Sequence, residues 1–139
     1  MSFLLDTNAV SEWVKPRPNP GLIVWMEAAD EDRVFISVIS LAELSYGVER
    51  LPAGKRRNRL EEWLRHELPL RFEGRILPID AGVAEAWGKT VSRCEAAGRP
   101  MSAMDAFLAA TAEVHRLTLV TRNVSDFPLL RAVVNPWSG

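Results

Sequence analysis

The stretch Phe3-Leu4-Leu5-Asp6-Thr7-Asn8 decides the fold. Three apolar residues in succession predict a short buried strand that ends at Asp6, because helices cover both faces of a central strand in a parallel sheet. In such sheets, ligands bind at the carboxyl ends of the strands. Asp6 is therefore a candidate functional residue, with Thr7 and Asn8 as neighbouring hydrogen-bonding groups. The structural alternative is that Asp6 only caps the following turn.

The composition is that of an ordinary soluble globular domain. The chain has 139 residues, of which 47% are apolar and 25% charged, enough for one domain with a substantial core. A formal net charge of −1 means that any nucleic-acid site must be local. The single cysteine, Cys94, excludes an internal disulfide and a cysteine-rich zinc site. With no signal peptide and no long apolar run, we expect a cytoplasmic protein without a membrane partner.

Strand-like and helix-like segments alternate along the chain. Apolar and β-branched runs predict strands over 3–5, 34–39, 75–79, 117–121 and 132–134. Helical spacing, capping residues and breakers predict helices over 9–14, 20–30, 40–51, 55–68, 80–97 and 102–116. This alternation predicts a single domain over 1–139 with a three-layer α/β/α fold and a central parallel sheet of four to five strands.

Four acidic residues are predicted to meet at the carboxyl edge of this sheet. Asp6 ends the first strand, and Glu43 opens the helix after the second strand. Asp105 opens the helix before the fourth strand, and Asp126 follows the fourth strand.

Each acid after the first also has a purely structural interpretation. Glu43 has the capping-box spacing to Ser40, and Asp105 has the same spacing to Ser102. Asp126 is compatible with an Asx turn. The predicted topology nevertheless gathers all four, which favours a shared role.

A cluster of carboxylates requires a positive charge between them, because like charges raise each other's pKa. Oxygen ligands suit Mg²⁺ or Mn²⁺, and the absence of nearby histidine and cysteine disfavours zinc. Water bound to such a cation is a nucleophile suited to attack on a phosphodiester. The four acids are therefore candidate metal ligands and catalytic residues.

Four motifs, in order, resemble those of the PIN-domain nucleases. They are Leu4-Leu5-Asp6-Thr7-Asn8, Ser40-Leu41-Ala42-Glu43-Leu44, the segment 105–112, and Val120-Thr121-Arg122-Asn123 with Asp126-Phe127. The chain most resembles the VapC-type toxins of type II toxin–antitoxin pairs, and its ending Asn135-Pro136-Trp137 is similar to the FitB-like branch. The resemblance covers essentially the whole chain.

This resemblance implies a Mg²⁺- or Mn²⁺-dependent endoribonuclease that is usually dimeric and is held inactive by a small antitoxin. Asp6, Glu43 and Asp105 correspond to the family's metal-binding acids. Many relatives carry an acid where this chain has Asn123, so either Asp126 takes that role or Asn123 holds a metal-bound water. A PIN-fold nuclease of RNA processing, without an antitoxin, is the main alternative.

Several residues near the acids are candidates for supporting roles. Asn8, Thr121 and Asn123 could bond the acids or the metal-bound water, and Arg122 is a candidate contact for an RNA phosphate. The basic run 55–59 is better interpreted as a solvated helix face than as an RNA patch.

The antitoxin is expected to insert an Arg or Lys side chain that pairs with Asp6 and Asp105. Its remaining contacts should be apolar, made by a helix lying in a groove. The residues expected near that helix lie in the early helices: Trp13, Val14, Leu44 and Val48.

Two other classes of protein fit the sequence less well. A phosphoacceptor receiver would use Asp80 as the phosphorylated acid and Thr121 as the switch hydroxyl. It would also need a basic residue where this chain has Asn135. A phosphatase with Asp6 as the nucleophile would need a second acid at Asn8.

Overall fold

The computed structural model describes residues 1–137 and shows a parallel five-stranded sheet. The strands are β1 (Phe3–Leu5), β2 (Val34–Ser37), β3 (Ile76–Leu77), β4 (Thr118–Val120) and β5 (Val133–Val134). Their order across the sheet is β3-β2-β1-β4-β5. The predicted parallel sheet is confirmed, while the last two residues of the predicted domain lie outside the described residues.

The helices lie between these strands in the chain. They are α1 (Thr7–Trp13), α2 (Pro20–Ala28), α3 (Val38–Glu49), α4 (Lys55–Glu62), α5 (Leu68–Arg71), α6 (Ala81–Ala96) and α7 (Ala103–His115). Within residues 1–137, no helix is long and apolar enough to cross a membrane.

Two apolar cores, one on each face of the sheet, produce the predicted three layers. Leu5 of β1 points into a core with α1, α2 and α5, where Val10, Leu22 and Phe72 are fully buried. Leu4, the preceding residue, belongs to a second core that includes α7. Both residues are fully buried, as expected for a strand covered on both faces.

Two helices begin earlier than the sequence indicated. The strand predicted over 34–39 ends at Ser37, whose hydroxyl oxygen accepts from the backbone N–H of Ile39 at 3.0 Å and caps α3. The predicted start at Ser40 is therefore wrong, because a serine nearer the strand already satisfies the first orphan N–H group. Similarly, α1 begins at Thr7 rather than Ala9, with Asp6 as its cap.

The helix predicted to end at residue 68 instead continues past Pro69. The backbone widens into a π-helical turn over Trp63–Glu67 and continues as α5 to Arg71. Here the Leu68 N–H donates to the carbonyl of Trp63, five residues back. A proline ring collides with the carbonyl four residues earlier in a regular helix, and the wider turn accommodates it.

The strand order places the candidate site. In open α/β sheets, ligands bind where the strand order reverses, and here the reversal lies between β1 and β4. Asp6 and Thr121 directly follow these two strands. Receiver domains have the order 2-1-3-4-5, so the observed order excludes the receiver interpretation.

The segment after β5 packs on the start of α2. A Cβ atom at Gly21 would collide with the carbonyl oxygen of Pro136, so only glycine permits this approach. The Asn135 side chain accepts from the Trp137 backbone N–H at 2.9 Å and donates to the carbonyl of Arg122 at 3.3 Å. The C-terminal segment is thereby tied to the loop after β4.

Candidate active site

Asp6 is held at the carboxyl end of β1 by three donors. Its Oδ1 accepts from the backbone N–H of Thr7 at 2.6 Å. Its Oδ2 accepts from Thr121 Oγ1 at 2.7 Å and from Asn8 Nδ2 at 3.4 Å. Asp6 therefore caps α1, as the purely structural interpretation of this residue predicts. It also lies at the carboxyl edge of the sheet, where the functional site is expected.

The environment of Asp6 disfavours its charged form. Only 6% of its surface is exposed, and this burial raises its pKa from 3.8 to about 6. The hydrogen bonds from Thr121 and Thr7 oppose the rise in pKa, while the negative charges of Asp105 and Glu43 add to it. Neighbouring carboxylates therefore act on Asp6 directly.

Glu43 faces Asp6 across Thr7. Its Oε1 accepts a hydrogen bond from Thr7 Oγ1 at 2.6 Å, and Ser40 Oγ lies 2.9 Å from the same hydroxyl. Because Ser37 caps α3, Ser40 lies inside the helix and the capping-box interpretation of Glu43 is wrong. The carboxylate is thus available to the site, oriented by a residue from α1.

Asp105 lies in the first turn of α7, where Ser102 Oγ accepts from its backbone N–H at 3.1 Å. Ser102 therefore supplies the cap, as its spacing indicated. Burial raises the pKa of the Asp105 carboxyl, the Ser102 hydroxyl opposes this, and the charges of Asp126 and Glu43 raise it further. Asp126 itself is exposed, in a single 3-10 turn over Val124–Asp126.

One open cavity of about 370 Å³ brings the predicted residues together. All four acids, Asn8, Asn123 and Arg122 line it, and Thr121 supports it from beneath. The lining residues come from both ends and the middle of the chain: Asp6, Thr7, Asn8, Ser11, Glu12, Lys15, Glu43, Asp105, Arg122, Asn123, Asp126 and Trp137.

The three predicted supporting residues form a hydrogen-bonded bridge between β1 and β4. Asn8 Nδ2 donates to Thr121 Oγ1 at 3.3 Å, and Asn8 Oδ1 accepts from the backbone N–H of Arg122 at 3.3 Å. The backbone N–H of Asn123 donates to Thr121 Oγ1 at 3.0 Å. Thr121 thus connects the Asp6 carboxylate to the loop that carries Arg122.

Sequence reasoning missed four lining residues: Ser11, Glu12, Lys15 and Trp137. Thr7, Ser11 and Lys15 are spaced by four, which puts them on one side of α1 and its extension. This four-residue spacing of polar side chains is the pattern from which their common location could have been predicted.

Glu12 and Lys15 form a linked pair beside the acids. The buried Glu12 accepts from Lys15 Nζ at 2.9 Å and from the backbone N–H of Asn19 at 3.0 Å. The Lys15 hydrogen bond lowers the pKa of Glu12 most, burial opposes this effect, and the bond from the Asn19 backbone N–H lowers the pKa further. Glu12 therefore stays ionised and fixes a cation at the edge of an acidic cavity.

A cation held by these acids would have to keep part of its hydration shell. Within residues 1–137, no three His, Cys, Asp or Glu side chains lie close enough together to hold a metal ion by themselves. Magnesium usually takes only one or two protein carboxylates and retains several waters. Burial is the main cause of the raised pKa values of Asp6 and Asp105, and the neighbouring carboxylates add to them, so a cation bound between these groups would favour their ionised forms.

A second, mostly apolar cavity of about 260 Å³ adjoins the first, and we call it the groove. It lies between α1, α3 and α4, and Thr7, Ser11, Lys15 and Glu43 line both cavities. The other lining residues are Val14, Pro16, Leu44, Gly47, Val48, Leu51, Arg56, Arg59, Leu60 and Trp63.

Trp13 lies elsewhere, contrary to the expectation that placed it beside Leu44 and Val48. Its ring packs edge-on to Phe72 at 6.2 Å, under the guanidinium of Arg71 at 4.4 Å. Asp80, the receiver candidate, caps α6 by accepting from the Val83 N–H at 3.0 Å and does not line the acidic cavity.

Known proteins share both the sequence pattern and the fold. The PIN domain family matches residues 3–128. The chain is 40% identical to Toxin FitB of Neisseria gonorrhoeae, with 97% of this chain and 98% of that protein covered. It is 32% identical to VapC ribonuclease Y4jK of Sinorhizobium fredii, over 97% of each protein.

Solved structures of similar proteins have the same fold as this chain. FitAcB from Neisseria gonorrhoeae superposes with a TM-score of 0.89 at 40% identity, covering 97% of this chain and 98% of that one. A toxin–antitoxin complex from Klebsiella pneumoniae superposes with a TM-score of 0.75 at 28% identity, covering 97% and 98%. The chain belongs to the PIN-domain family.

Proposed function

We propose that this chain is the toxin ribonuclease of a toxin–antitoxin pair and that it hydrolyses RNA phosphodiesters with Mg²⁺ or Mn²⁺. The observation that carries this proposal is the gathering of Asp6, Glu43, Asp105 and Asp126 around one cavity at the switch point of the sheet. The relatives named toxin and ribonuclease support it.

The four acids would hold the divalent cation partly through its bound waters, and Asp126 would take the role for which Asn123 is the alternative. When bound, the cation lowers the pKa of water and polarises the phosphodiester. The protein's own contribution is orientation: Thr121 and the Thr7 N–H fix Asp6, and the Thr7 hydroxyl fixes Glu43.

Arg122 supplies a second cation at the acidic cavity, in addition to Lys15. Its side chain is exposed and lines the acidic cavity, while its backbone is held by Asn8 and Asn135. A guanidinium matches the geometry of a phosphate, so Arg122 is suited to contact the RNA backbone.

The groove fits an antitoxin helix, as its apolar lining offers a place for alternate apolar side chains. Because Glu43 and Thr7 line both cavities, an Arg or Lys near the end of such a helix would reach the acids. The complex from Klebsiella pneumoniae supports a partner of this kind. The family resemblance also leads us to propose a homodimer, which sedimentation of the purified protein tests.

A cleavage assay tests the enzymatic part of the proposal. Purified protein is expected to cleave RNA with Mg²⁺ or Mn²⁺ and to lose activity in EDTA, with recovery on metal addition. Cleavage that persists in EDTA after exhaustive dialysis would contradict the metal requirement.

Expression in a bacterial host tests the toxin part. Expression alone should arrest growth, and co-expression with the neighbouring gene product should restore it and yield an inactive complex. If expression is harmless and no neighbouring protein binds, the chain is a PIN nuclease of RNA processing instead.

A further inference from the structure

The basic run on α4 contains cations with different roles. Arg57 is committed to the fold: Nε donates to Glu61 at 3.2 Å, one terminal nitrogen donates to Glu49 at 3.1 Å, and the other donates to the carbonyl of Leu51 at 3.1 Å. Its side chain is only 26% exposed. Arg57 thus braces the loop between α3 and α4.

Arg56 and Arg59 have no such role. They are three residues apart, so they share a helix face, and both line the groove. Both are exposed. In the part of the chain that the structure describes, neither side chain forms an ion pair or a hydrogen bond with another residue, although α4 offers Glu61 and Glu62 nearby.

Lys15 connects these arginines to the acidic cavity. It lines both cavities, and its side chain is 55% exposed although one ammonium donor is bonded to Glu12. Since Glu12 is buried and ionised, Lys15 keeps its position beside the acids. Three exposed cations therefore line the groove, and one of them, Lys15, also lines the acidic cavity.

The arrangement suits a single-stranded nucleic acid. Strand-tracking grooves combine cations that follow the phosphates with aromatic rings on which bases stack. Here the rim carries Lys15, Arg56 and Arg59, and the floor carries the half-buried indole of Trp63. A carboxylate cluster repels a polyanion, so flanking cations are needed to bring a strand across it.

We propose that Lys15, Arg56 and Arg59 form a phosphate track that guides single-stranded RNA from the acidic cavity along the groove. This inference rests on the proposed ribonuclease function and specifies how its substrate is held. It implies that RNA and the antitoxin helix use the same groove and exclude each other.

The three arginines of α4 provide a matched test. The double variant Arg56→Ala/Arg59→Ala, the two single variants and the control Arg57→Ala are compared with wild type. Binding of a fluorescein-labelled, mixed-sequence single-stranded RNA is followed by anisotropy in EDTA, where no cleavage is expected. Each titration is repeated between about 50 and 200 mM salt, and melting temperatures are recorded.

The variants at Arg56 and Arg59 should change RNA binding but not stability, and the variant at Arg57 should change stability but not RNA binding. Each lost phosphate contact removes about 0.7 from the slope of log affinity against log salt. The slope of the double variant should therefore be smaller by about 1.4. When salt rises from 50 to 200 mM, the factor by which RNA affinity decreases should be about seven times smaller for the double variant than for wild type. Its melting temperature should be unchanged. Arg57→Ala should melt lower and keep the wild-type slope.

Three results would overturn the track. The double variant could bind RNA with the wild-type slope, or Arg57→Ala could lower the slope as much as Arg56→Ala does, which would indicate net charge alone. The double variant could also lose only its affinity for the co-expressed partner protein, which would assign the rim to that protein.

The test separates this inference from the proposed function. Wild-type protein that cleaves RNA while the double variant keeps full affinity contradicts the track alone. Wild-type protein that neither binds nor cleaves RNA contradicts both. Glutamine at positions 56 and 59 provides a second pair of uncharged variants if the alanine variants aggregate.

Discussion

Asp6 is the residue for which function and stability conflict most directly. Its pKa of about 6 exceeds the unfolded value of 3.8 by about two units, which corresponds to about 3 kcal/mol at neutral pH. Asp6→Asn should therefore abolish RNA cleavage and raise the free energy of unfolding of the metal-free protein at pH 7. Urea unfolding and an RNA assay measure both. A destabilised variant would show that the cap to Thr7 outweighs the burial of charge.

The pH dependence of stability provides the control for Asp6→Asn. The folded state binds the proton of the Asp6 carboxyl more tightly than the unfolded state does. The contribution of Asp6 to the free energy of unfolding of the wild type therefore falls as pH rises from about 4 to 6 and then levels off. Glu12, with its lowered pKa, acts in the opposite direction in both proteins. The difference between variant and wild type should therefore grow over this window and vanish below it. A difference independent of pH would refute the ionisation argument.

Glu43 and Asp105 can be distinguished from simple helix caps by comparison with the serines that do the capping. Glu43→Ala and Asp105→Ala should lose most cleavage activity and require more Mg²⁺ for what remains. Ser37→Ala and Ser102→Ala should each cost about 0.5–2 kcal/mol of stability and leave the activity of the folded protein unchanged. Denaturant melts and activity across a Mg²⁺ titration separate the classes. Normal activity in the acid variants would refute their assignment as ligands.

At the scale of elements, local patterns predicted which segments are helices and strands but misplaced several of their ends. Ser37 and Ser40 are both good caps, and the choice between them depends on where β2 stops pairing with β3. The link from Thr7 to Glu43 joins residues 36 apart and depends on the packing of α1 against α3, which no local pattern specifies. Pro69 would end a regular α-helix, but the π-helical turn before it accommodates the proline ring.

The contact between α2 and the C-terminal segment gives a prediction about Gly21. Gly21→Ala places a methyl group against the Pro136 carbonyl, so we expect a loss of about 1–3 kcal/mol and a displaced C-terminal segment. Gly88→Ala is the control, since no atom lies within 4 Å of its added Cβ and alanine favours a helix interior by about 0.5–1 kcal/mol. Thermal melts of both variants should move in opposite directions. Equal shifts would contradict the close approach.

At the scale of the whole molecule, the groove gives a prediction about the partner. Leu44→Ala should weaken the complex with the antitoxin about tenfold or more, because it truncates an apolar side chain that lines the groove. Leu70→Ala should leave affinity unchanged, as Leu70 is 73% exposed and away from the groove. Trp13→Ala should lower the melting temperature instead. Titration calorimetry with the co-expressed partner measures the affinities, and equal effects at Leu44 and Leu70 would argue against this groove.

The parallel three-layer architecture was accessible from sequence because strand-like and helix-like segments alternate along the chain, whereas the strand order was not predicted. The cation track was not accessible. Arg56, Arg57 and Arg59 look alike in the sequence, and only the position of α4 against α3 commits Arg57 to Glu49 and leaves the other two on the groove. Trp13 was misplaced for the same reason, since the side of α1 that faces Phe72 is set by packing.

The hydrogen bond from Thr121 to Asp6 joins residues 115 apart, and β1 lies between β2 and β4 in the sheet. During synthesis, β1 therefore cannot pair with its second neighbour until β4 has been made. A nascent chain has neither this bond nor the loop that carries Asp126 until residues 121–126 have been synthesised. Contacts of such long range also form slowly. The acidic cavity is thus among the last features of the fold to form, because Asp6 needs a partner that lies 115 residues away.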